Sequence, residues 1–277
     1  MLNKLGGCVV VFNPKDDVYD NILKYIDLLD CLVVVDNSTE ENEIIEKLIG
    51  NQKIIYINNH GNLGIAAALN KGLRYLCGEG FDIVLTMDQD SQFPQGEGNE
   101  ILEIVDDLID KYGIVGLNFN QKSKTKSRDV VELDFWLTSG NFVNLKAYRE
   151  VNGFHDDLFI DYVDIDFDYR LSQAGYKICY LKDYSLIHSI GNPIKINFFG
   201  HTFYAMNHRA FRYYYRYRNS RYLYGVNKGK FKKLYFKELF VNIPKMLFFE
   251  NDKINKLKMI NRGISDGKNN KLGVLSE

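Results

Sequence analysis

The first 120 residues alternate short, wholly apolar runs with stretches of helical period, and few folds accommodate that alternation. Gly7 to Phe12 reads as a strand ended by Asn13-Pro14, and a helical pattern follows with Val18, Ile22, Tyr25, Ile26 and Leu29 on one side. Next come a strand from Cys31 to Val35, a helix near Glu41 to Ile49 and a strand from Lys53 to Ile57. A helix from Gly64 to about Leu76 precedes a strand from Ile83 to Met87. Strands that are apolar along their whole length are covered on both faces. The pattern therefore predicts an α/β fold, a mostly parallel sheet with helices on both sides. Right-handed crossovers then bring the carboxyl ends of the strands to one edge, where open α/β sheets bind ligands.

Those ends are polar. The first strand ends at Asn13, the second at Asp36-Asn37-Ser38, the third at Asn58-Asn59-His60 and the fourth at Asp88-Gln89-Asp90. Each loop alone needs only turn formers, and Asn, Asp and Ser are the commonest of these. Four such loops converging on one crevice exceed that requirement. The last carries two carboxylates two residues apart, hard oxygen donors suited to Mg²⁺ or Mn²⁺ bridged to a diphosphate.

Charge is unevenly spread along the 277 residues. From Lys195 to Glu277 there are 18 Lys and Arg against 5 Asp and Glu, whereas the preceding 194 residues hold 17 basic and 31 acidic side chains. An acidic body with a basic tail suggests that the tail meets something anionic. The four cysteines, Cys8, Cys31, Cys77 and Cys179, have no metal-type spacing and read as reduced thiols of a cytoplasmic protein. Met1 to Lys4 lead directly into a strand without signal-peptide architecture, and no apolar run approaches the ~20 residues of a membrane span. Gly191-Asn192-Pro193 marks a boundary. The expected organisation is residues 1–191 as one domain, with a nucleotide-binding half to 120 and an acceptor half from 121, followed by a basic helical extension, 192–277.

Several further pieces complete a pattern. They are Asn62-Leu63-Gly64-Ile65-Ala66-Ala67-Ala68-Leu69-Asn70, Thr138-Ser139-Gly140, Phe159 to Asp166, His188-Ser189-Ile190-Gly191, and the aromatic segment His208 to Asn219. With Phe12-Asn13-Pro14, Val35 to Ser38 and Asp88 to Ser91, in this order and spacing, the chain resembles the inverting glycosyltransferases of family 2, in particular the bacterial rhamnosyltransferase-like branch. The resemblance implies a GT-A fold, a nucleotide-diphospho-sugar donor, a divalent metal (Mn²⁺ or Mg²⁺) and inversion at the anomeric carbon. It implies Asp164 as the general base, where family members carry the second residue of a Glu-Asp pair. This chain departs there, because Val163 replaces the acidic neighbour, and Asp161 is the reserve. At helical spacing Asp161, Asp164 and Asp168 would share a face while Asp166 points elsewhere. Mutual repulsion there would raise one of the carboxyl groups.

By the same resemblance Asp90 is the first metal ligand, Asp88 meets the ribose or the metal through water, and His188 is a further ligand. Asp36, Asn13 and Asn37 would line the nucleotide pocket. Asn62 and Gly64 lead into a helix whose N-terminus would face the diphosphate. Gly140 would let backbone approach the donor sugar. Trp136 has two readings, a sugar platform or a core aromatic.

The expected activity is metal-dependent transfer of a sugar, L-rhamnose from dTDP-L-rhamnose in the first instance, to a growing bacterial cell-surface or capsular glycan. Its acceptor would be carried on a lipid diphosphate at the inner face of the cell membrane. Alternatives are a UDP-sugar (galactose, glucose or N-acetylglucosamine) transferase and a non-catalytic sugar-nucleotide-binding partner of another transferase. In the tail, Phe236, Leu239, Phe240, Ile243 and Leu247 fall on one helical arc, with Pro244 expected to kink the helix. Such a helix can pack on the core, join a second subunit or lie on an anionic membrane. Arginines interleaved with aromatics also occur in nucleic-acid binders, but the acidic body argues against that partner.

Overall fold

A computed structural model describes residues 4–40, 42–119, 121, 123, 126–188, 194–198, 201–205 and 207–275. The chain divides into two compact units, Met1–Asp156 with Val163–Ser189, and Asp157–Tyr162 with Ile190–Glu277.

In the first unit the elements run β1 (Leu5–Val11), α1 (Asp16–Leu23), β2 (Cys31–Asp36), α2 (Glu43–Ile49), β3 (Ile54–Asn58), α3 (Ile65–Gly78) and β4 (Ile83–Asp88). Then follow β5 (Ser91–Gln92), α4 (Gly98–Leu108), β6 (Tyr112–Phe119), β7 (Val130–Leu133), β8 (Asn141–Asn144), α5 (Leu145–Glu150), α6 (Val163–Gln173) and β9 (Lys177–His188). One sheet runs in the order β3-β2-β1-β4-β8-β6-β9-β5, with β7 also paired to β9. The β3-β2-β1-β4 block is parallel throughout, and β8 enters antiparallel between β4 and β6. All seven residues of β1 are buried, as a strand covered on both faces requires. The main core spans both halves of this sheet, from Val9, Val34 and Leu85 to Val115, Phe142 and Leu181. All four cysteine thiols are free, and burial pushes Cys8 up to about 12.

One buried amide ties α3 to the end of this unit. Asn70 accepts from the Tyr148 hydroxyl (2.7 Å) and the Phe154 amide (2.9 Å), and donates to the Phe154 carbonyl (2.7 Å) and to Asp156. Its sequence context, a helix rich in small residues, indicates close packing but not this long-range role.

The second unit contains the hairpin β10 (Ile194–Phe198) and β11 (His201–Ala205), then α7 (Ala210–Val226), α8 (Lys228–Lys237), a π-helical turn (Glu238–Asn242), α9 (Ile243–Phe249) and α10 (Lys253–Lys268). Pro244 does not kink a continuous α-helix. It sits at the start of α9 behind the π-helical turn, where the amide it lacks needs no helical partner. α10 lies directly on α7: a Cβ on Gly263 would come within 2.4 Å of the Tyr214 carbonyl, and one on Gly267 within 2.2 Å of the Arg218 carbonyl.

The segment Asp157–Tyr162 belongs to this unit because α7 captures its backbone. Phe159, Asp161 and Tyr162 all have positive φ (64°, 61° and 67°), conformations that non-glycine residues adopt only under constraint. Arg218 and Asn219, both fully buried, supply that constraint. The Asn219 side-chain amide donates to the carbonyls of Leu158, Ile160 and Asp161 (2.8–3.0 Å), and Arg218 donates to those of Asp157, Leu158 and Gly273 (2.5–3.0 Å). Removing the amide in Asn219→Ala takes away the donor to the Ile160 and Asp161 carbonyls and one of two donors to that of Leu158, and chemical denaturation should register a loss of about 3 kcal/mol.

Candidate active site

The parallel register sets the strand ends level. Val11 lies beside Asp36, Asp36 beside Asn58, and Val10 beside Asp88. Asn13, Asp36, Asn37 and Asp88 therefore emerge at one edge. Local hydrogen bonds then shape each loop. Asp36 is buried, with Oδ1 accepting from the Ser38 amide (2.8 Å) and Oδ2 from the Tyr56 hydroxyl (2.9 Å). Asn13 adopts a left-handed conformation (φ 46°) and its amide donates to Ser38 Oγ (2.8 Å).

Asn37 turns inward. It donates to the Gly64 carbonyl (3.1 Å) and accepts from Asn59 (2.8 Å), so its visible work is to join three loops. Asn62 accepts from the Gly64 amide (2.9 Å), and Gly64, with φ 84°, opens α3 without a side-chain cap. The first-turn amides of α3 are thus left for a ligand or solvent.

Asp88 and Asp90 are half-buried at the carboxyl end of β4. Gln89 between them holds the turn. Its side chain accepts from the Phe12 amide (2.9 Å) and donates to the Phe12 carbonyl (3.3 Å), extending the β1–β4 ladder by one rung. Its own carbonyl accepts from buried Asn21 (3.2 Å). On the far side the Asp88 amide donates to Ser139 Oγ (3.0 Å), which donates in turn to Ser91 Oγ (2.8 Å). Short β5 pairs Ser91 with His188 in backbone register, bringing that chain position beside the residue after Asp90. The side chain of His188 lies outside those described.

Among the described residues no group of three His, Cys, Asp or Glu side chains is arranged around a metal position. Two accessible carboxylates on a rigid turn fit Mg²⁺ or Mn²⁺, which bind through one or two carboxylates and complete their shells with phosphate oxygens and water. Asp88 and Asp90 are the residues that would hold such an ion.

Gly140 has a reason of its own to be glycine: φ is 71°, and a Cβ would lie 2.3 Å from Leu186. Trp136 is a packed aromatic. Tyr180 stacks on it at 4.2 Å between ring centres, and its Nε1 donates to the Leu117 carbonyl (3.1 Å).

The expectation for the acidic cluster needs correction. Helix α6 begins at Val163, so Asp161 is off the helix and does not share a face with Asp164 and Asp168. Asp161 sits in the left-handed segment of the second unit, with both oxygens accepting from Arg212 at 3.1 Å. Asp166 does point elsewhere, pairing with Arg170 (2.8 Å), whose guanidinium also donates to the carbonyls of Val151 and Gly153 (2.6 Å each). Asp164 and Asp168 line one small cleft together with Thr86, Trp136 and Thr138. Asp168 is fully buried and accepts from the Trp136 amide at 2.6 Å. Burial raises its carboxyl well above the usual range, opposed by that hydrogen bond and reinforced by the charge of Asp164.

Gln89, Ser139 and Asp168 were not assigned roles from the sequence. Gln89 and Ser139 act on backbone 77 and 51 residues away, and Asp168 on an amide 32 residues away, distances at which no local pattern operates.

The sequence profile of Glycosyl transferase family 2 matches residues 8–155, more than half of the chain, including β1 to β4 and the Asp88-Gln89-Asp90 turn. The chain belongs to this family. It is 25% identical over 246 residues to the dTDP-rhamnosyl transferase RfbF of Shigella flexneri, covering 79% of each protein. Its fold is similar to that of S. aureus TarS 1–349 in complex with UDP-GlcNAc, with a TM-score of 0.64, 13% identity and coverage of 95% of this chain and 80% of that one. It is also similar to GalNAc-T7 with UDP, GalNAc and Mn²⁺, with a TM-score of 0.62 and 11% identity, where 97% of this chain spans 56% of the other. The fold is therefore GT-A, and this family 2 protein is a glycosyltransferase.

Two outcomes test the site's construction. Gln89→Ala, which keeps both carboxylates, should weaken nucleotide-diphosphate binding about tenfold in calorimetry. Asp168→Asn keeps the acceptor for Trp136 without burying a charge. Because burial raises Asp168 in the folded state, the stability it contributes is complete below the unfolded value and is lost as pH rises through the raised one. In denaturation experiments the native protein should therefore lose stability relative to the variant as pH rises above the ordinary carboxylate range.

Proposed function

We propose that this glycosyltransferase moves a hexose, with inversion, from a nucleotide-diphospho-sugar to a glycan acceptor, with dTDP-L-rhamnose as the donor. The observation that carries the reading is the level edge of β1, β2 and β4, which brings the Asn13, Asp36 and Asp88-Gln89-Asp90 loops out on one side, with the uncapped start of α3 tied to the β2 loop through Asn37. The likeness to a dTDP-rhamnosyl transferase over 79% of both chains supports the choice of donor. Structural neighbours bound to UDP or UDP-GlcNAc support the runner-up, a UDP-sugar.

The donor's nucleotide lies against Asn13 and Asp36, whose oxygens each retain a lone pair, and its diphosphate meets the first-turn amides of α3. Asp88 and Asp90 would hold a divalent cation, which would supply charge neutralisation for the departing diphosphate. Gln89 and Ser139 fix the two carboxylates so that little reorganisation accompanies that charge development. Asp164 takes the proton from the acceptor hydroxyl as that oxygen attacks the face opposite the diphosphate. Asp161 is the weaker candidate for this step, since both its oxygens are engaged by Arg212. The acceptor is a cell-surface glycan in assembly on a lipid diphosphate, and the enzyme works at the cytoplasmic face of the membrane.

Calorimetry across a panel of nucleotide sugars, with and without Mn²⁺, tests this assignment. One donor should bind in a metal-dependent way, and Asp90→Ala should abolish that dependence. Asp164→Asn should leave donor affinity unchanged and lower transfer about 10³-fold. Intact donor binding with no transfer to any glycan by the native protein would favour a non-catalytic partner of another transferase.

A further inference from the structure

The second unit carries an apolar stripe that its own packing leaves uncovered. The expected helical arc from Phe236 to Leu247 divides in two. Leu239, Ile243 and Leu247 pack inward against Tyr213, Tyr217, Met246 and Ile260. Phe240 and Phe248 point outward, 70% and 77% exposed, and Ile254 at the start of α10 is 72% exposed. Phe236, Phe240, Pro244 and Phe248 recur at every fourth residue, a spacing that drifts by about 40° per step on a regular α-helix. The π-helical turn takes in more residues per turn and offsets that drift. The Phe236 and Phe240 rings accordingly stack at 5.7 Å, with 2° between their planes.

The surroundings of this stripe are cationic. Lys232, Lys233, Lys237, Lys253 and Lys258 are exposed, and between Lys232 and Lys258 the one exposed acid is Asp252. The other two acids in that stretch are buried and neutralised internally. Glu238 is paired with Arg216 and accepts from Tyr162, and Glu250 is paired with Lys256 and accepts from Tyr213. No helix among the described residues is long and apolar enough to cross a membrane. Large rings projecting from a lysine-rimmed helical surface have the composition of an interfacial anchor.

We propose that the face formed by Phe236, Phe240, Phe248 and Ile254 docks the protein onto an anionic lipid bilayer. The aromatic rings enter the acyl boundary while the flanking lysines meet lipid phosphates. A second copy of the chain fits the surface less well, because bringing two such faces together opposes lysine with lysine. This inference rests on the second unit alone and stands whether or not the donor assignment holds.

The test is flotation of the full chain with phosphatidylcholine vesicles containing or lacking phosphatidylglycerol, at low and high salt. The protein should float with the anionic vesicles, more weakly in high salt, and stay behind with the neutral ones. The double variant Phe240→Ser, Phe248→Ser should lose about tenfold or more in partitioning, as should Lys232→Glu with Lys233→Glu. Since these side chains are exposed, circular dichroism should be unchanged. As a check without loss of apolar surface, Phe248→Trp should give fluorescence quenched by brominated lipid beyond that of the native chain. Absence from anionic vesicles, or binding indifferent to both double variants, overturns the proposal. So does a concentration-dependent dimer that the Phe240, Phe248 variant dissolves while vesicles have no effect.

Discussion

Everything at the candidate site depends on the parallel ladder that holds β3, β2, β1 and β4 in level register. Parallel strands must be connected by crossovers of a dozen or more residues, so their carboxyl ends cannot be positioned by tight turns. They are positioned by the ladder itself, from Val11 beside Asp36 to Val10 beside Asp88. Side chains then extend it past the last backbone rung. Gln89 completes a rung against Phe12, Asn37 joins the loops after β2 and β3 to the start of α3, and Ser139 holds Asp88 from the opposite side. The carboxylates at the rim owe their placement to amides and hydroxyls rather than to one another.

This division explains what the sequence disclosed. The strands and helices of the first 120 residues were legible because each is specified by its own apolar run and its own breakers. Their polar ends were legible for the same reason. The order of the second half was not, because β8 enters antiparallel between β4 and β6, a pairing chosen by the tertiary structure. The acidic cluster was read with one helical period too many, since nothing local reveals that Asp161 and Tyr162 are left-handed. That conformation is imposed by Arg218 and Asn219, nearly 60 residues later. The apolar arc of the tail was read as one surface, and the π-helical turn made it two.

Asp168 shows how a buried acid can brace the elements around it. A carboxyl raised by burial and hydrogen-bonded to the Trp136 amide links the helix of Asp164 to the loop that carries Thr138 and Ser139. Trp136 is itself locked by Tyr180 and Leu117, so that loop has little freedom. The general base of the proposed mechanism and the carboxylate turn of β4 are thus joined through a short run of hydrogen bonds in one unit of the protein. A void or an unpaired group along that run would loosen both ends together.

The chain passes from the first unit to the second at Asp156, returns at Val163 and leaves again after Ser189. Three of the six residues between Asp156 and Val163, namely Phe159, Asp161 and Tyr162, are left-handed, and the segment's conformation is held by α7 rather than by its own sequence. The tail is therefore no detachable appendage. During synthesis the approach to α6 would wait for a helix not yet made, and α6 could be entered correctly only once Arg218 and Asn219 had emerged. Exchange of the tail between related enzymes would, by the same logic, replace the very residues that hold the stretch before α6 in its left-handed path.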